Sequence, residues 1–242
     1  KVPWAPVVGE LLWFLSGSAY LADLKHYTFG DALADKWTIW TDDMERWHKQ
    51  LGSPKENFGY VGDLYPTQWR NYNHSGVDQI GNLIESLTNF PQERNHILMA
   101  WNPEAISQNA MCLKPCHLGA QFYVDNQSRL HCKWWQRSCD TFLGIPFNSA
   151  SYALLTHLLA HWTGLHVGTV TGDLGDVHVY ENQLEAVHQL LERDYYIPPN
   201  LVLPWGCETL ESTLKLTAKD FSESLVGYRH AGVLKAPLSV GL

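Results

Sequence analysis

Two observations predict an α+β fold, in which helices pack on a sheet, and a third predicts a single domain. Segments with helical spacing of apolar residues occur together with short strand-like segments, without a regular β-α-β rhythm. Two of the strand-like segments are separated by only a four-residue turn. No Pro-, Gly- or Ser-rich linker divides the 242 residues, so we expect a single domain over residues 1–242.

The N-terminal half contains two predicted helices and an irregular stretch between them. The apolar run at residues 8–15 indicates a buried helix. Residues 25–62 are polar and interrupted by glycine and proline, which predicts loops and short helices. Residues 75–78 form a capping pattern that opens the second helix, and Pro91 ends it. Apolar residues repeat at helical spacing in this segment: Val77, Ile80, Leu83, Ile84 and Leu87.

The C-terminal half is predicted to hold most of the strands and the longest helix. Residues 119–124 and 130–135 are strand-like, and residues 125–128 form the turn between them. The strongest helix is predicted at residues 147–162, where apolar residues share one side and Gly164 follows the end. Further strands are expected at residues 96–101, 166–171 and 177–180, and a further helix at residues 183–193.

The composition argues against several classes of protein. A net charge of -8 argues against a general nucleic-acid binder, so any anion site is a local cluster of Arg and backbone N–H groups. No apolar run reaches the length of a membrane span. Five cysteines without C-x-x-C spacing argue against disulfides and a zinc site, and fit the cytoplasm. Because the chain begins with Lys1 rather than Met, we expect an N-terminal element upstream.

The strongest sign of chemistry is the order Pro115-Cys116-His117, then residues 136–140, then residues 143–148. A lone cysteine is more often a buried structural residue than a nucleophile. Here His117 is adjacent, Pro115 stiffens the approach, and the charge of Arg137 is expected to lower the pKa of the Cys116 thiol. Together these residues indicate a thiolate that attacks a phosphorylated, amide-like ring.

The neighbouring polar residues each allow two interpretations. Arg137 and Ser138 follow a predicted strand and suit a phosphate, whereas an arginine alone more often forms a surface salt bridge. Asn148 is either the N-cap of the long helix or a reader of a pyrimidine base. As a reader, its NH₂ donates to O4 of uracil and its C=O accepts from N3–H, while cytosine presents the reverse pattern. The same donor would stabilise charge on O4 after attack at C6.

Four other residues complete the set of candidates. Asp140 is a cap or a partner of Arg137. Glu10, in an apolar helix, is either a buried paired carboxylate or a proton-handling group with a raised pKa. His178 and Tyr180 alternate on one predicted strand, so both face one side and together suit sugar hydroxyls. A histidine taken alone is more often a core residue.

The whole chain resembles the folate-dependent thymidylate synthase family, including its phage pyrimidine hydroxymethylase relatives. The motifs that carry the resemblance lie in order along the sequence. They are residues 10–15, 38–40, 65 with 68–70, 78–80, 100–103, 115–117, 121–124, 136–140, 143–148 with 150–155, 175–176 with 178 and 180, and 235–237.

The resemblance implies a mixed sheet with packed helices, a sheet-to-sheet homodimer, and dUMP as substrate. Cys116 attacks C6, and Asn148 reads the uracil. The remaining nucleotide-binding residues are Gln136, with Arg137 and Ser138 on the 5′-phosphate, Arg94 reaching in from the other subunit, and His178 and Tyr180 on the deoxyribose. The resemblance implies no nucleic-acid or membrane partner, and a cytoplasmic protein, in the host cytoplasm if a phage encodes it.

The resemblance also implies 5,10-methylenetetrahydrofolate as cosubstrate and no metal. Asp140 contacts the pterin, and the tail after Lys235 closes over the folate. The residues that surround the folate are Ile39, Trp40, Leu143, Gly144 and Phe147. The residues that organise water and proton transfers are Glu10, Tyr65 and His117.

Several positions depart from the family pattern. The paired arginines of the phosphate loop appear as Arg94-Asn95, Pro66 follows Tyr65 in place of glycine, and Asp43 replaces a second folate-facing Trp. Thymidylate synthase, giving dTMP and dihydrofolate, is therefore weighed against a dUMP hydroxymethylase, giving 5-hydroxymethyl-dUMP and tetrahydrofolate. Retained Trp40 favours hydride transfer. A non-catalytic nucleotide-binding homologue is the third alternative, against which the retention of Cys116 and Asn148 argues.

Overall fold

A mixed four-stranded sheet covered by helices forms the centre of the computed structural model, which describes residues 1–238. The helices are α1 (Trp4–Ser16), α2 (Leu21–Phe29), α3 (Thr41–Leu51), α4 (Tyr65–Arg70), α5 (Gln79–Asn89), α6 (Pro103–Ser107), α7 (Gly144–Trp162), α8 (Leu184–Leu191) and α9 (Leu210–Thr213). The strands are β1 (Ile97–Met99), β2 (His117–Val124), β3 (Arg129–Asp140), β4 (His166–His178), β5 (Asn200–Leu201) and β6 (Leu225–Val226). The predicted α+β class is confirmed.

The main sheet has the order β1-β2-β3-β4. Strand β2 is antiparallel to both β1 and β3, and β4 runs parallel to β3. Helix α7 provides the crossover between the two parallel strands and packs on both. A separate two-stranded ladder joins β5 to β6.

One face of the sheet and the inner sides of α1 and α7 enclose the core. Alternate residues of β2 and β3, such as Phe122 and Trp134, are buried in the core, as the period of two in a strand requires, and Trp134 stacks on Tyr152 of α7. Helix α1 is buried from Val7 to Leu15 and contacts α2, α4 and α7. Aromatic residues connect this core to Cys116. Phe14 packs against Tyr65 with ring centroids 4.7 Å apart, and the Tyr65 hydroxyl accepts from the Cys116 N–H.

Several predicted elements are confirmed with shifted ends. The helix predicted at residues 8–15 extends over Trp4–Ser16, and the strand predicted at residues 96–101 is limited to Ile97–Met99. Residues 25–62 contain loops, parts of α2 and α3, and a 3-10 turn, as expected. Asp78 caps α5 by accepting from the Gly81 N–H, so Val77 precedes the helix rather than belonging to it. Helix α8 follows a 3-10 turn at Glu181–Gln183.

Two predictions about strands are wrong. Strand β3 continues to Asp140 because β4 pairs with it as far as Asp140↔His178, so Arg137 lies within the strand rather than after it. Residues 166–171 and 177–180 are not separate strands, because β4 is continuous through Gly172 and Gly175 and ends before Tyr180.

The glycines of β4 allow close packing rather than breaking the strand. A Cβ at Gly172 would lie 2.6 Å from Cζ2 of Trp134, and one at Gly175 would lie 3.1 Å from the Arg137 carbonyl oxygen. These contacts leave no room for a side chain. No helix of residues 1–238 is both long and apolar enough to cross a bilayer.

Substituting Gly172 by Ala is expected to destabilise the fold by about 1–3 kcal/mol, because the buried Trp134 ring cannot move aside. Gly168→Ala is the comparison variant, and a smaller loss is expected, because its Cβ would meet the His131 ring at 2.8 Å, and that ring is partly exposed and held by hydrogen bonds to Asp125 and Thr169 rather than by core packing. Urea unfolding of both variants measures the difference. Equal losses would contradict the assigned role of Trp134 as a fixed neighbour.

Candidate active site

Cys116 lies immediately before β2 and is held through its backbone from two sides. Its N–H donates to the Tyr65 hydroxyl at 2.9 Å, and its C=O accepts from the Arg137 N–H at 2.9 Å. The side chain is partly buried. The thiol is therefore presented at the junction between α4 and the adjoining ends of β2 and β3.

The expected lowering of the Cys116 pKa is wrong, because burial outweighs the nearby cation. Burial raises the pKa of the thiol, and the positive charge of Arg137 opposes this without reversing it. Arg137 donates from Nε to the Pro115 carbonyl at 2.9 Å and from Nη2 to the Lys114 carbonyl at 3.0 Å. Its guanidinium thus contacts the carbonyls before Cys116, and the thiol form of Cys116 is favoured at neutral pH.

His117 is a neutral, buried imidazole. Burial lowers its pKa to about 3, so it carries no charge at neutral pH. Its Nδ1 is 2.8 Å from the Tyr152 hydroxyl, and its ring stacks on Tyr65 with centroids 4.0 Å apart. His117 and Tyr65 therefore form one rigid stack beside Cys116.

Asn148 is not an N-cap. Helix α7 starts at Gly144 with Leu143 in the N-cap position, so Asn148 lies in the second turn. Its Oδ1 accepts from Nε2 of Gln136 at 3.1 Å. Because Gln136 and Arg137 are adjacent on β3, and Arg137 bonds to the Cys116 carbonyl, Asn148 and Cys116 belong to one region.

Asp140 stabilises the turn before α7 and does not cap the helix itself, because Leu143 is the N-cap and no side chain caps it; pairing with Arg137 is also wrong. Its Oδ1 accepts from the N–H groups of Phe142 and Leu143, each at 3.0 Å, which shapes the entry to α7. Its Oδ2 accepts from Nε2 of Gln183 at 3.1 Å. The buried Gln183 had no distinguishing sequence signal, because only the fold brings it to Asp140.

Gly144 lies beside both Asp140 and Asn148, at ordinary van der Waals distances. A Cβ at this position would lie 3.4 Å from the Asp140 Cβ and 3.7 Å from the Asn148 Oδ1. Asp140 at the end of β3 and Asn148 in the second turn of α7 are thus both neighbours of Gly144.

Glu10 is a buried carboxyl that has no cationic partner among residues 1–238. Burial raises its pKa to about 7, and the hydrogen bond that its Oε1 accepts from the Trp40 indole at 2.8 Å only partly opposes this. Of the two interpretations from the sequence, the proton-handling group agrees with this environment.

An apolar cleft of about 500 Å³ opens beside Glu10 and collects most of the residues predicted to surround a folate. Ile39, Leu143 and Phe147 line it, whereas Trp40 is buried behind Glu10. The sequence analysis missed other aromatic lining residues, namely Phe29, Trp37 and Phe142. Ala236 and Leu238 of the predicted closing tail also line the cleft, and residues 239–242 of that tail lie outside the described residues.

The predicted phosphate and sugar ligands are only partly brought together. Arg137 and Ser138 are adjacent on β3, and the rings of His178 and Tyr180 contact each other with centroids 5.0 Å apart at the end of β4. Arg94 lies before β1 and is separated from β3 by β2. Within residues 1–238, its exposed guanidinium has no hydrogen-bond or ion-pair partner.

Within the described part of the chain, no group of three or more His, Cys, Asp or Glu side chains is arranged to hold a metal ion.

The sequence profile of the thymidylate synthase family matches residues 1–240. The chain belongs to the thymidylate synthase family. This family consists of methyltransferases, so the chain is an enzyme of that class.

Individual relatives within the thymidylate synthase family extend over almost the entire chain. A probable thymidylate synthase of Escherichia phage T5 is 45% identical over 239 residues, covering 99% of this chain and 82% of that protein. Thymidylate synthase of Staphylococcus haemolyticus (strain JCSC1435) is 34% identical over 276 residues, with coverages of 99% and 83%. The crystal structure of thymidylate synthase from T4 phage superposes with a TM-score of 0.86 at 35% identity, with coverages of 99% and 83%.

Replacing Glu10 by Gln is expected to change how stability depends on pH. The pKa of Glu10 is about 7 in the folded protein and 4.5 in the unfolded chain. The parent therefore loses stability as pH rises from about 4.5 to 7. Gln lacks this proton, and the stability of Glu10→Gln relative to the parent should therefore rise by about 3 kcal/mol across that window.

Chemical unfolding at a series of pH values measures this difference. Glu56→Gln, at an exposed position, is the control and should follow the parent at every pH. Parallel curves for Glu10→Gln and the parent would show that Glu10 does not retain its proton in the fold.

Proposed function

We propose that this chain transfers a one-carbon unit to C5 of dUMP and releases dTMP and dihydrofolate. The observation that carries the proposal is a pair of hydrogen bonds that connects Cys116 and Asn148 to adjacent residues of β3. Cys116 bonds to Arg137, and the adjacent Gln136 bonds to Asn148. A pyrimidine held there has a sulfur nucleophile at one carbon and an amide at its carbonyl edge.

In this proposal, Cys116 forms a transient bond to C6 and gives its thiol proton to water in the site. The electrons displaced from the C5–C6 double bond move towards O4. The Asn148 NH₂ donates to O4 and stabilises this charge, while its Oδ1 has a second lone pair for N3–H. C5 then becomes the nucleophile. The bond from Cys116 to C6 breaks again when C5, after receiving the one-carbon unit, loses its proton and the sulfur is expelled.

The cleft beside Glu10 suits the pterin and aromatic ring of 5,10-methylenetetrahydrofolate, because it is apolar and has aromatic walls. When bound, this cosubstrate supplies the carbon unit and the hydride. Ile39, Leu143 and Phe147 hold it and exclude water. Asp140 and Gly144 shape the end of the site nearest α7.

Glu10 is the proton-handling group of the proposed site. With a pKa of about 7, it exchanges a proton readily at neutral pH, and it lines the folate cleft. Tyr65 and neutral His117 hold the backbone of Cys116 and organise water near the base.

Methyl transfer is favoured over hydroxymethyl transfer. The named relatives are thymidylate synthases, and the apolar cleft wall opposes attack by water on an exocyclic methylene. The presence of Cys116, Arg137, Asn148 and Asp140 together likewise favours turnover over simple nucleotide binding.

We further propose that the enzyme is a homodimer formed through the uncovered face of the main sheet. Ile97 on the edge strand β1 and Tyr123 on the central strand β2 share that face and are 43% and 53% exposed, so large apolar residues there are available for an interface. Arg94 would reach the phosphate held by the partner subunit. Arg137, Ser138, His178 and Tyr180 would bind the phosphate and sugar within each subunit.

Cys116→Ala is expected to lower turnover of dUMP at least 1,000-fold, on the order of the loss of a covalent nucleophile, while dUMP still binds. Dihydrofolate absorbance and product mass measure the reaction of the parent and the variant. Cys112→Ala is the control and should retain turnover.

Unchanged turnover by Cys116→Ala would remove the nucleophile assignment. A product of the parent that is one oxygen heavier than dTMP, without dihydrofolate, would instead establish the hydroxymethylase reaction.

Asn148→Asp is expected to shift the preference from dUMP towards dCMP by about 100-fold or more in the ratio of kcat/KM values. The ionised carboxylate has only acceptors, so it accepts from the N4 amine of cytosine, whereas it offers no donor to O4 of uracil. Steady-state kinetics with both nucleotides measure the ratio. A ratio equal to that of the parent would refute the base-reading role.

A further inference from the structure

The Gln136 amide lies between two groups of fixed hydrogen-bonding polarity. Trp134 Nε1–H, which can only donate, bonds to Gln136 Oε1 at 3.2 Å. The Ser138 carbonyl, which can only accept, bonds to Gln136 Nε2 at 3.0 Å. Both neighbours require the same orientation, so the amide oxygen faces Trp134 and the amide nitrogen faces Ser138.

This orientation is passed on to Asn148. Gln136 Nε2 also donates to Asn148 Oδ1 at 3.1 Å, so the Asn148 oxygen faces Gln136 and its NH₂ is left for another partner. If the Gln136 amide were reversed, its oxygen would face Asn148 and favour the reversed Asn148 amide as well. The donor available to a bound base therefore depends on Gln136.

Trp134 is rigidly held, which suits it to fix an orientation. It is two residues from Gln136 on β3, so both side chains lie on the buried face against α7. Its ring stacks on Tyr152 with centroids 5.3 Å apart and planes 11° from parallel. On β4, Gly172 leaves the space that the ring fills.

We propose that Trp134 is a positioning residue that sets selectivity for uracil over cytosine, by orienting the amide of Gln136 and through it the amide of Asn148. This inference rests on the proposed function. The NH₂ that Asn148 presents matches the O4 acceptor of uracil and opposes the N4 donor of cytosine. Trp134 acts through two side chains and needs no contact with the base.

Trp134→Phe tests the proposal, because it keeps an aromatic ring in the core and removes the indole N–H. The ratio of kcat/KM for dUMP to kcat/KM for dCMP should fall about five- to tenfold, the effect of one lost hydrogen bond. The Ser138 carbonyl still favours the original orientation, which limits the loss. This ratio is independent of the fraction of folded enzyme, so a purely structural effect leaves it unchanged.

Trp135→Phe is the matched control, since Trp135 is adjacent on β3 and points to the opposite face. It should leave the ratio unchanged. In a Gln136→Ala background, Trp134→Phe should also have no effect on the ratio, because no side chain then connects Trp134 to Asn148. If the two substitutions change the ratio independently of each other, Trp134 does not act through Gln136, and the proposal is overturned.

If Trp134→Phe does not fold, 3-benzothienylalanine at position 134 replaces the indole N–H by sulfur and keeps the ring shape. An unchanged ratio in the variant that folds overturns the inference while leaving the proposed function intact. A parent enzyme without dUMP turnover overturns the proposed function instead. In that case the ratio of dissociation constants for dUMP and dCMP, from equilibrium dialysis, still tests the orientation.

Discussion

The hydrogen bond from the Arg137 N–H to the Cys116 carbonyl joins the two strands on which the proposed chemistry depends. It aligns the start of β2 with the far half of β3, where the Gln136, Ser138 and Asp140 side chains originate. Helix α7 then follows β3 after a short turn, which Asp140 stabilises by accepting from its N–H groups. This turn brings Asn148 over the same strands. The nucleophile and the base-reading amide thus depend on one strand pairing.

Burial determines the protonation states in the centre of the site. It favours a neutral carboxyl at Glu10, a neutral imidazole at His117 and a thiol at Cys116, because each charged form would lose its hydration. The proposed phosphate ligands, Arg137 and Arg94, are instead exposed. A neutral interior beside a cationic rim suits a substrate whose reactive ring is uncharged and whose phosphate is not.

Much of the fold was predictable because helical and strand periodicity are local. Helix α5 and the hairpin of β2 and β3 were placed to within a few residues, apart from the extension of β3. The continuous β4 was missed because Gly172 and Gly175 resemble breaks in the sequence, whereas their role is to admit Trp134 and the backbone of β3. A glycine that permits packing cannot be distinguished locally from one that ends a strand.

The residue types alone specify the chemical inventory: a Cys-His pair, an Arg-Ser pair proposed to bind phosphate, an amide whose two faces match uracil, and a carboxyl in an apolar helix. Only the tertiary structure decided the direction of the Cys116 pKa, the orientation of the Asn148 amide and the cleft walls at Phe29 and Trp37. Residue type specifies which hydrogen bonds and charges are available. Desolvation and amide orientation depend on atoms that distant segments bring together, so they follow from the packed fold.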